Sequence, residues 1–357
     1  MPGGHTAGIV RHRTLSLLPT RRCNASCRNC GSFSGPSARD ALDIDDVRKV
    51  IAEAHSLGFE LVVFTGGEAT LAPDVLADGL RLARVLGLRT RLVTNGHWAQ
   101  STEVAIAEAE RLAALGLDEL NVSTGDEHAR FVPLSSVCRA AAASFKVFGT
   151  AVITVELRSA RPITRKTVLD ALRAEGLSVD EIAALKIIES PWMPVSPFRT
   201  EIYEAGHAVD RTNLSMRSGC ESILETYTVE PDGVVTSCCG LGANIIPELH
   251  VGQVSDPDAL ATAVDRSEGD LLKLAIRYMG PEKILAWAAS LDPAIDWEGM
   301  YAHNCQACHR LYRDERVRSV IARHLQDIET NILAAVVFDE ALYPSVIADA
   351  ARVSKSG

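Results

Sequence analysis

Short β-branched runs recur along the first half of the chain at intervals of about 30 residues, the spacing of a βαβ unit. They fall at residues 14–19, 60–64, 88–94, 119–123, 150–157 and 185–189. Helical periodicity fills the gaps. Asp43 is a good N-cap for a stretch carrying Ile44, Val47, Val50, Ile51 and Ala54 on one face. Further helical patterns cover residues 73–86, 102–115, 133–148 and 164–174. Repeated βαβ units make a parallel sheet. Periodicity leaves two forms open, a doubly wound sheet or a partial barrel, and either puts the chemistry at the C-terminal ends of the strands.

The rhythm stops at residues 190–218, where Pro191, Pro194 and Pro197 crowd together. A hairpin is expected next. Residues 225–230 and 234–237 flank Pro231-Asp232-Gly233, and Asp-Gly supplies the positive φ of a tight turn. From Asp258 onward the chain reads as mostly helical, interrupted by the segment 305–308. The expected division is a barrel over 14–190, a linker over 191–219, a small α+β unit over 220–311 and C-terminal helices over 312–357.

Composition narrows the function. The chain has 357 residues, 47% hydrophobic and 23% charged, an ordinary globular balance. No apolar run reaches the 18 or more residues of a membrane span; residues 332–338 form the longest. Residues 1–10 contain no apolar h-region, so a secretory signal is not expected. With 36 basic against 46 acidic residues the net charge is −10, which argues against a nucleic-acid partner. A cytoplasmic location follows, with reduced cysteines rather than a disulfide framework.

The nine cysteines are the sharpest signal, because seven fall into two groups with ligand-like spacing. Cys23, Cys27 and Cys30 read C-x3-C-x2-C directly after the first strand. Three thiolates on one loop can hold three irons of a 4Fe–4S cluster and leave the fourth open to a substrate. A zinc knuckle is the alternative, and it wants a fourth ligand that does not follow closely. Cys220 and Cys238 flank Gly233 as C-x12-G-x4-C, and Cys305 and Cys308 form C-x2-C. These four make a complete ligand set for a further 4Fe–4S cluster or for an all-thiolate zinc site. Cys138 lies in an apolar helical stretch and reads as a buried small hydrophobe. Cys239 follows a ligand directly. It is either an uninvolved hairpin residue or a hydrogen-atom donor to a substrate radical.

The first motif resembles the signature of the radical SAM (S-adenosylmethionine) superfamily. Thr65-Gly66-Gly67-Glu68 at the second strand end resembles that family's GGE motif, and Thr94-Asn95-Gly96 ends the third strand as it often does there. Val122-Ser123 with Asp126 ends the fourth, where the family commonly turns a polar residue towards SAM. The resemblance implies a partial (β/α)6 barrel, SAM on the open iron, and a 5′-deoxyadenosyl radical that removes hydrogen from a substrate C–H bond. Gly66, Gly67, Glu68, Asn95, Ser123, Asp126 and Glu156 are the expected SAM-side residues. His128 and Arg158 are further polar positions near strand ends. The second cysteine group resembles the SPASM/twitch extension of such enzymes, nearest its one-cluster twitch form because no cysteine follows Cys308.

By the same resemblance the expected substrate is a peptide, with a flavodoxin- or ferredoxin-type electron donor. The barrel starts near Thr14, so leader recognition would fall to a separate protein or to the cleft itself. A small-molecule pathway (sugar, nucleoside or cofactor) is the alternative. A non-catalytic iron–sulfur redox sensor is the third reading, and it leaves Gly66–Glu68 and Thr94–Gly96 without a role.

Overall fold

A computed structural model describes residues 13–157, 163–203, 205–339 and 341. Six strands, β1 (Thr14–Leu17), β2 (Leu61–Phe64), β3 (Arg89–Thr94), β4 (Glu119–Gly125), β5 (Val152–Leu157) and β6 (Lys186–Pro191), run parallel. Between them lie α1 (Ile44–Ser56), α2 (Pro73–Val85), α3 (Thr102–Leu115), α4 (Leu134–Phe148), and the pair α5 (Arg165–Ala174) and α6 (Val179–Ala184). The short α6, started by a Ser178–Glu181 capping box, has no counterpart in the expected pattern.

Local chemistry sets the helix ends. Asp43 accepts the Asp46 amide at 2.7 Å and Ser101 the Val104 amide at 3.3 Å. Gly116 and Gly149 end α3 and α4 with φ of 112° and 73°. Val47, Val50, Ile51 and Ala54 are fully buried, so the expected face of α1 is the one that packs on the sheet.

The spatial order of these strands is their chain order, 6-5-4-3-2-1. A doubly wound sheet would reverse at a switch point. Without a reversal, right-handed crossovers put every helix on one face, which is the wall of a partial barrel. The sheet then continues. The hairpin strands β7 (Thr226–Val229) and β8 (Val234–Thr236) turn through Gly233 at φ 82°, and β9 (His250–Gln253) follows. Because β7 pairs parallel with β1, nine strands form one sheet in the order 6-5-4-3-2-1-7-8-9.

The strands alternate in chemistry as period 2 requires. Leu15 and Leu17, Ile153 and Val155, and Tyr227 and Val229 sit in the core under the helices. The positions between them, Ser16, Thr154 and Thr228, face the other way into a cavity. α7 (Ala259–Glu268) packs on β9 and α1. Its N-cap side chain makes no cap, and Glu53 of α1 accepts the Leu260 and Ala261 amides at 2.8 and 3.1 Å instead.

A second core gathers α8 (Leu271–Tyr278), α9 (Pro281–Leu291), α10 (Asn304–Arg313) and α11 (Glu315–His324) around Ile223, Leu224, Trp297 and Tyr301. Residues 305–308 do not interrupt the helices as expected. They lie on the first turns of α10, because His303 caps that helix by accepting the Cys305 amide at 3.1 Å. The interruption is the stretch between α9 and α10. Among the described residues no helix is long and apolar enough to cross a membrane.

Candidate functional site

The concave side of the sheet encloses a cavity of about 370 Å³. Cys23, Cys27 and Cys30 all line it, from the loop that follows β1. Strand ends on either side hold that loop. The Gly67 and Glu68 amides donate to the Thr20 and Arg22 carbonyls at 3.0 and 2.9 Å. The approach is so close that a Cβ at Gly67 would lie 2.3 Å from the Arg22 carbonyl oxygen. Gly66 has φ 113°, and a Cβ there would meet the Thr20 carbonyl at 3.0 Å. The two glycines are needed for loop docking, whatever else they touch.

Further ties come from the segments after β2, β3 and β4. Asn95 donates to the Asn24 side-chain oxygen at 2.8 Å and lies 3.7 Å from the Cys23 sulfur. The Arg28 amide donates to Glu127 at 3.3 Å. Ser32 donates to the Gly66 carbonyl at 3.1 Å, and its oxygen lies 3.3 Å from the Cys30 sulfur. Burial pushes the Cys23 thiol up to about 11 and the Cys27 thiol up to about 12, Cys30 adding to the second. Such thiols ionise when a metal takes the proton's place.

Of the seven residues expected on the SAM side, Gly66, Gly67, Asn95, Ser123 and Glu156 line the cavity. Glu156 is held by the His128 imidazole at 3.1 Å. Burial works against the charged imidazole. The Glu156 hydrogen bond and the nearby Glu127 outweigh it, so the His128 pKa is raised. Glu68 and Asp126 are not in the lining. Glu68 is 1% exposed, and its carboxylate accepts the Thr70 amide and hydroxyl, the Thr94 hydroxyl at 2.8 Å and the Asn95 amide at 2.9 Å. Asp126 accepts the Ile163 amide at 3.3 Å. Arg158 lies outside the described residues.

Sequence reading alone missed the wall opposite the cysteine loop. Ser16, Thr154, Ser190, Thr228, Glu230, Trp192 and His303 line it. A signal was present: single Ser or Thr residues set between apolar ones in Leu15-Ser16-Leu17, Ile153-Thr154-Val155 and Tyr227-Thr228-Val229. Burial raises Glu230 to about 7 despite Arg21 beside it, and lowers His303 to about 4.

The second cysteine group also converges. Cys220, Cys238, Cys305 and Cys308 line one small apolar cavity of about 20 Å³, between the segment before β7, the loop after β8, α8 and α10. Gly240 stands between two of them. A Cβ there would lie 3.1 Å from the Cys238 sulfur and 3.2 Å from the Cys305 sulfur. Burial raises all three thiols of Cys238, Cys305 and Cys308, Cys305 to about 12. Among the described residues no three His, Cys, Asp or Glu side chains close on one point as a single bound ion requires. Cys238, Gly240 and Leu241 line both cavities, so the wall between them is one short segment thick.

The two spare cysteines differ. Cys138 is fully buried in α4. Cys239 is exposed and lines the larger cavity.

Comparisons with known proteins agree with this geometry. The Radical SAM superfamily model matches residues 17–127. YydG of Bacillus subtilis (strain 168), a protein named for peptide biosynthesis, is 25% identical over 192 residues, 54% of this chain and 58% of YydG. A GTP 3′,8-cyclase of Synechococcus elongatus is 32% identical over 131 residues, 36% of this chain and 38% of the cyclase. The chain thus spans less than two thirds of either relative. Among solved structures, "Native anSMEcpe with bound AdoMet and Cp18Cys peptide" superposes with a TM-score of 0.51 at 16% identity, over 89% of this chain and 99% of that one. It has the same fold.

Proposed function

Because the chain carries a radical SAM domain over residues 17–127, we propose that it is an enzyme that binds SAM and a 4Fe–4S cluster in the larger cavity and modifies a peptide there. A second 4Fe–4S cluster sits at Cys220, Cys238, Cys305 and Cys308. When bound, the first cluster and SAM supply a 5′-deoxyadenosyl radical that takes a hydrogen atom from a substrate C–H bond.

One observation carries this reading: Cys23, Cys27 and Cys30 line the same chamber as Cys238, which also lines the smaller cavity with Cys220, Cys305 and Cys308. Cys23, Cys27 and Cys30 hold three irons and leave the fourth to SAM. Gly66, Gly67, Asn95, Ser123 and Glu156 are the groups that face SAM, with His128 orienting Glu156. Glu68 and Asp126 act from behind as struts. The thin shared wall suits electron exchange between the chamber and the second cluster.

Cys239 opens into the chamber and donates a hydrogen atom to the substrate radical. Its S–H bond breaks as the new C–H bond forms. An electron from a flavodoxin- or ferredoxin-type donor and a proton then restore the thiol. A peptide substrate is supported by the similarity to YydG and by the peptide bound to the anSME structure. A small-molecule substrate draws on shorter matches, the cyclase's covering 36% of the chain against 54% for YydG. We place the protein in the cytoplasm, where reducing conditions keep thiolate ligands available.

Anaerobic reconstitution tests the proposal. About eight irons per chain and release of 5′-deoxyadenosine are expected, falling to about four irons and no cleavage when Cys23, Cys27 and Cys30 are all changed to Ala. A full iron count without SAM cleavage would overturn the enzyme reading in favour of a redox sensor. About four irons plus bound zinc would make the second site structural.

A further inference from the structure

A groove of about 210 Å³ adjoins the larger cavity, and Glu230 and Asn244 line both. The cysteine loop forms one bank through Phe33, and the loop after β8 forms the other through Ile245. Both side chains are exposed, 42% and 37%. Phe33 holds φ 53°, a left-handed conformation that bulky residues rarely adopt. Its amide donates to the Cys30 carbonyl at 3.1 Å, which keeps the loop turned this way.

The passage between groove and cavity is polar, and Arg21, whose buried Nε makes no hydrogen bond, lines the groove beside Glu230 and Asn244. Glu230 is 6% exposed, and its buried Oε2 accepts no hydrogen bond; the Arg21 guanidinium faces it at 3.6 Å. The buried Asn244 Oδ1 also accepts none. Buried acceptors of this kind are costly unless a donor arrives. A peptide main chain brings N–H donors at regular intervals, and its side chains can meet the apolar banks at the same time. The groove is smaller than the roughly 300 Å³ at which drug-sized ligand pockets begin, so it suits a side chain with its backbone rather than a cofactor.

We propose that this groove binds the stretch of substrate peptide next to the modified residue. A large apolar side chain lies against Phe33 and Ile245, and main-chain N–H groups meet Glu230 and Asn244. The proposal rests on the peptide reading above.

The test uses the reconstituted full chain with SAM, dithionite and a library of synthetic random-sequence peptides in D2O. Modified peptides are read by mass spectrometry. Leu, Ile, Met or Phe should be enriched about tenfold at one fixed offset from the modified residue, the discrimination an apolar pocket can make. Phe33→Ala and Ile245→Ala should lose the enrichment, while Phe33→Leu and Ile245→Val keep it, with the iron content of every variant checked as a measure of folding. Asn244→Ala should raise KM for an enriched peptide with kcat little changed. Enrichment that survives in both Ala variants would overturn the subsite and leave the peptide reading standing. Cleavage of SAM with no peptide modified by the wild type would overturn both.

Discussion

The Glu68 carboxylate accepts the backbone N–H of Asn95 at 2.9 Å, inside the protein and away from the cavity. With the Thr94 hydroxyl on its other oxygen, Glu68 ties the end of β2 to the end of β3. Asn95 in turn reaches the loop that carries Cys23. The Glu68 side chain therefore braces the Cys23 loop at second hand.

Glu68→Gln keeps the shape but turns an amide towards donors that need acceptors. It should cost about 1–3 kcal/mol of stability, the usual penalty for unsatisfying a buried hydrogen-bonding group. Anaerobic denaturant titration of the reconstituted protein measures it. An unchanged midpoint would show that the strut is not needed.

Gly67→Ala has no room, since its Cβ would lie 2.3 Å from the Arg22 carbonyl oxygen. The loop must move off β2, and about four irons should be lost while the second cluster remains. Gly58→Ala is the comparison, because a Cβ there meets nothing within 4 Å. Its φ of 74° is strained for Ala, but it should retain all the iron.

Glu230 should make stability fall as pH rises. Its folded pKa is raised from 4.5 to about 7 by burial, with Asp232 adding to the rise and Arg21, itself beside Asp40, opposing it. A raised carboxyl favours folding most when protonated, so that contribution is complete below the unfolded pKa and is lost as pH climbs through about 7. Glu230→Gln should therefore gain on the wild type between pH 5 and 8, by up to about 3 kcal/mol. Denaturation midpoints across that range decide it, and a constant difference would contradict the assignment.

Cys239→Ala should keep the full iron count and still release 5′-deoxyadenosine, but deliver no hydrogen to the substrate radical. With a peptide substrate in D2O, the wild-type product should gain one solvent-derived deuterium and the variant product none. Equal labelling in both would remove Cys239 from the reaction.

Much of this protein is legible from its sequence. Strand positions, the helices that start after Asp43 and Ser101, and the Asp232-Gly233 turn follow from short-range rules: β-branching, capping and the steric freedom of glycine. The Cys23, Cys27 and Cys30 loop is equally local, because one turn of chain carries all three sulfurs. Position along the chain determined these features, and the fold left them where they were expected.

Tertiary structure decided what distance in sequence hides. Whether the sheet is doubly wound or barrel-like depends on strand order, which periodicity does not encode and pairing does. That β7 joins β1, and so carries Cys238 and Cys239 to the chamber, depends on a parallel pairing across more than half the chain. The bracing role of the Glu68 side chain was hidden because only packing shows which donors a buried carboxylate meets. Ser16, Thr154, Thr228 and Glu230 became a chamber wall for the same reason. A side chain's face follows from alternation, but what stands opposite that face follows only from how the sheet curves.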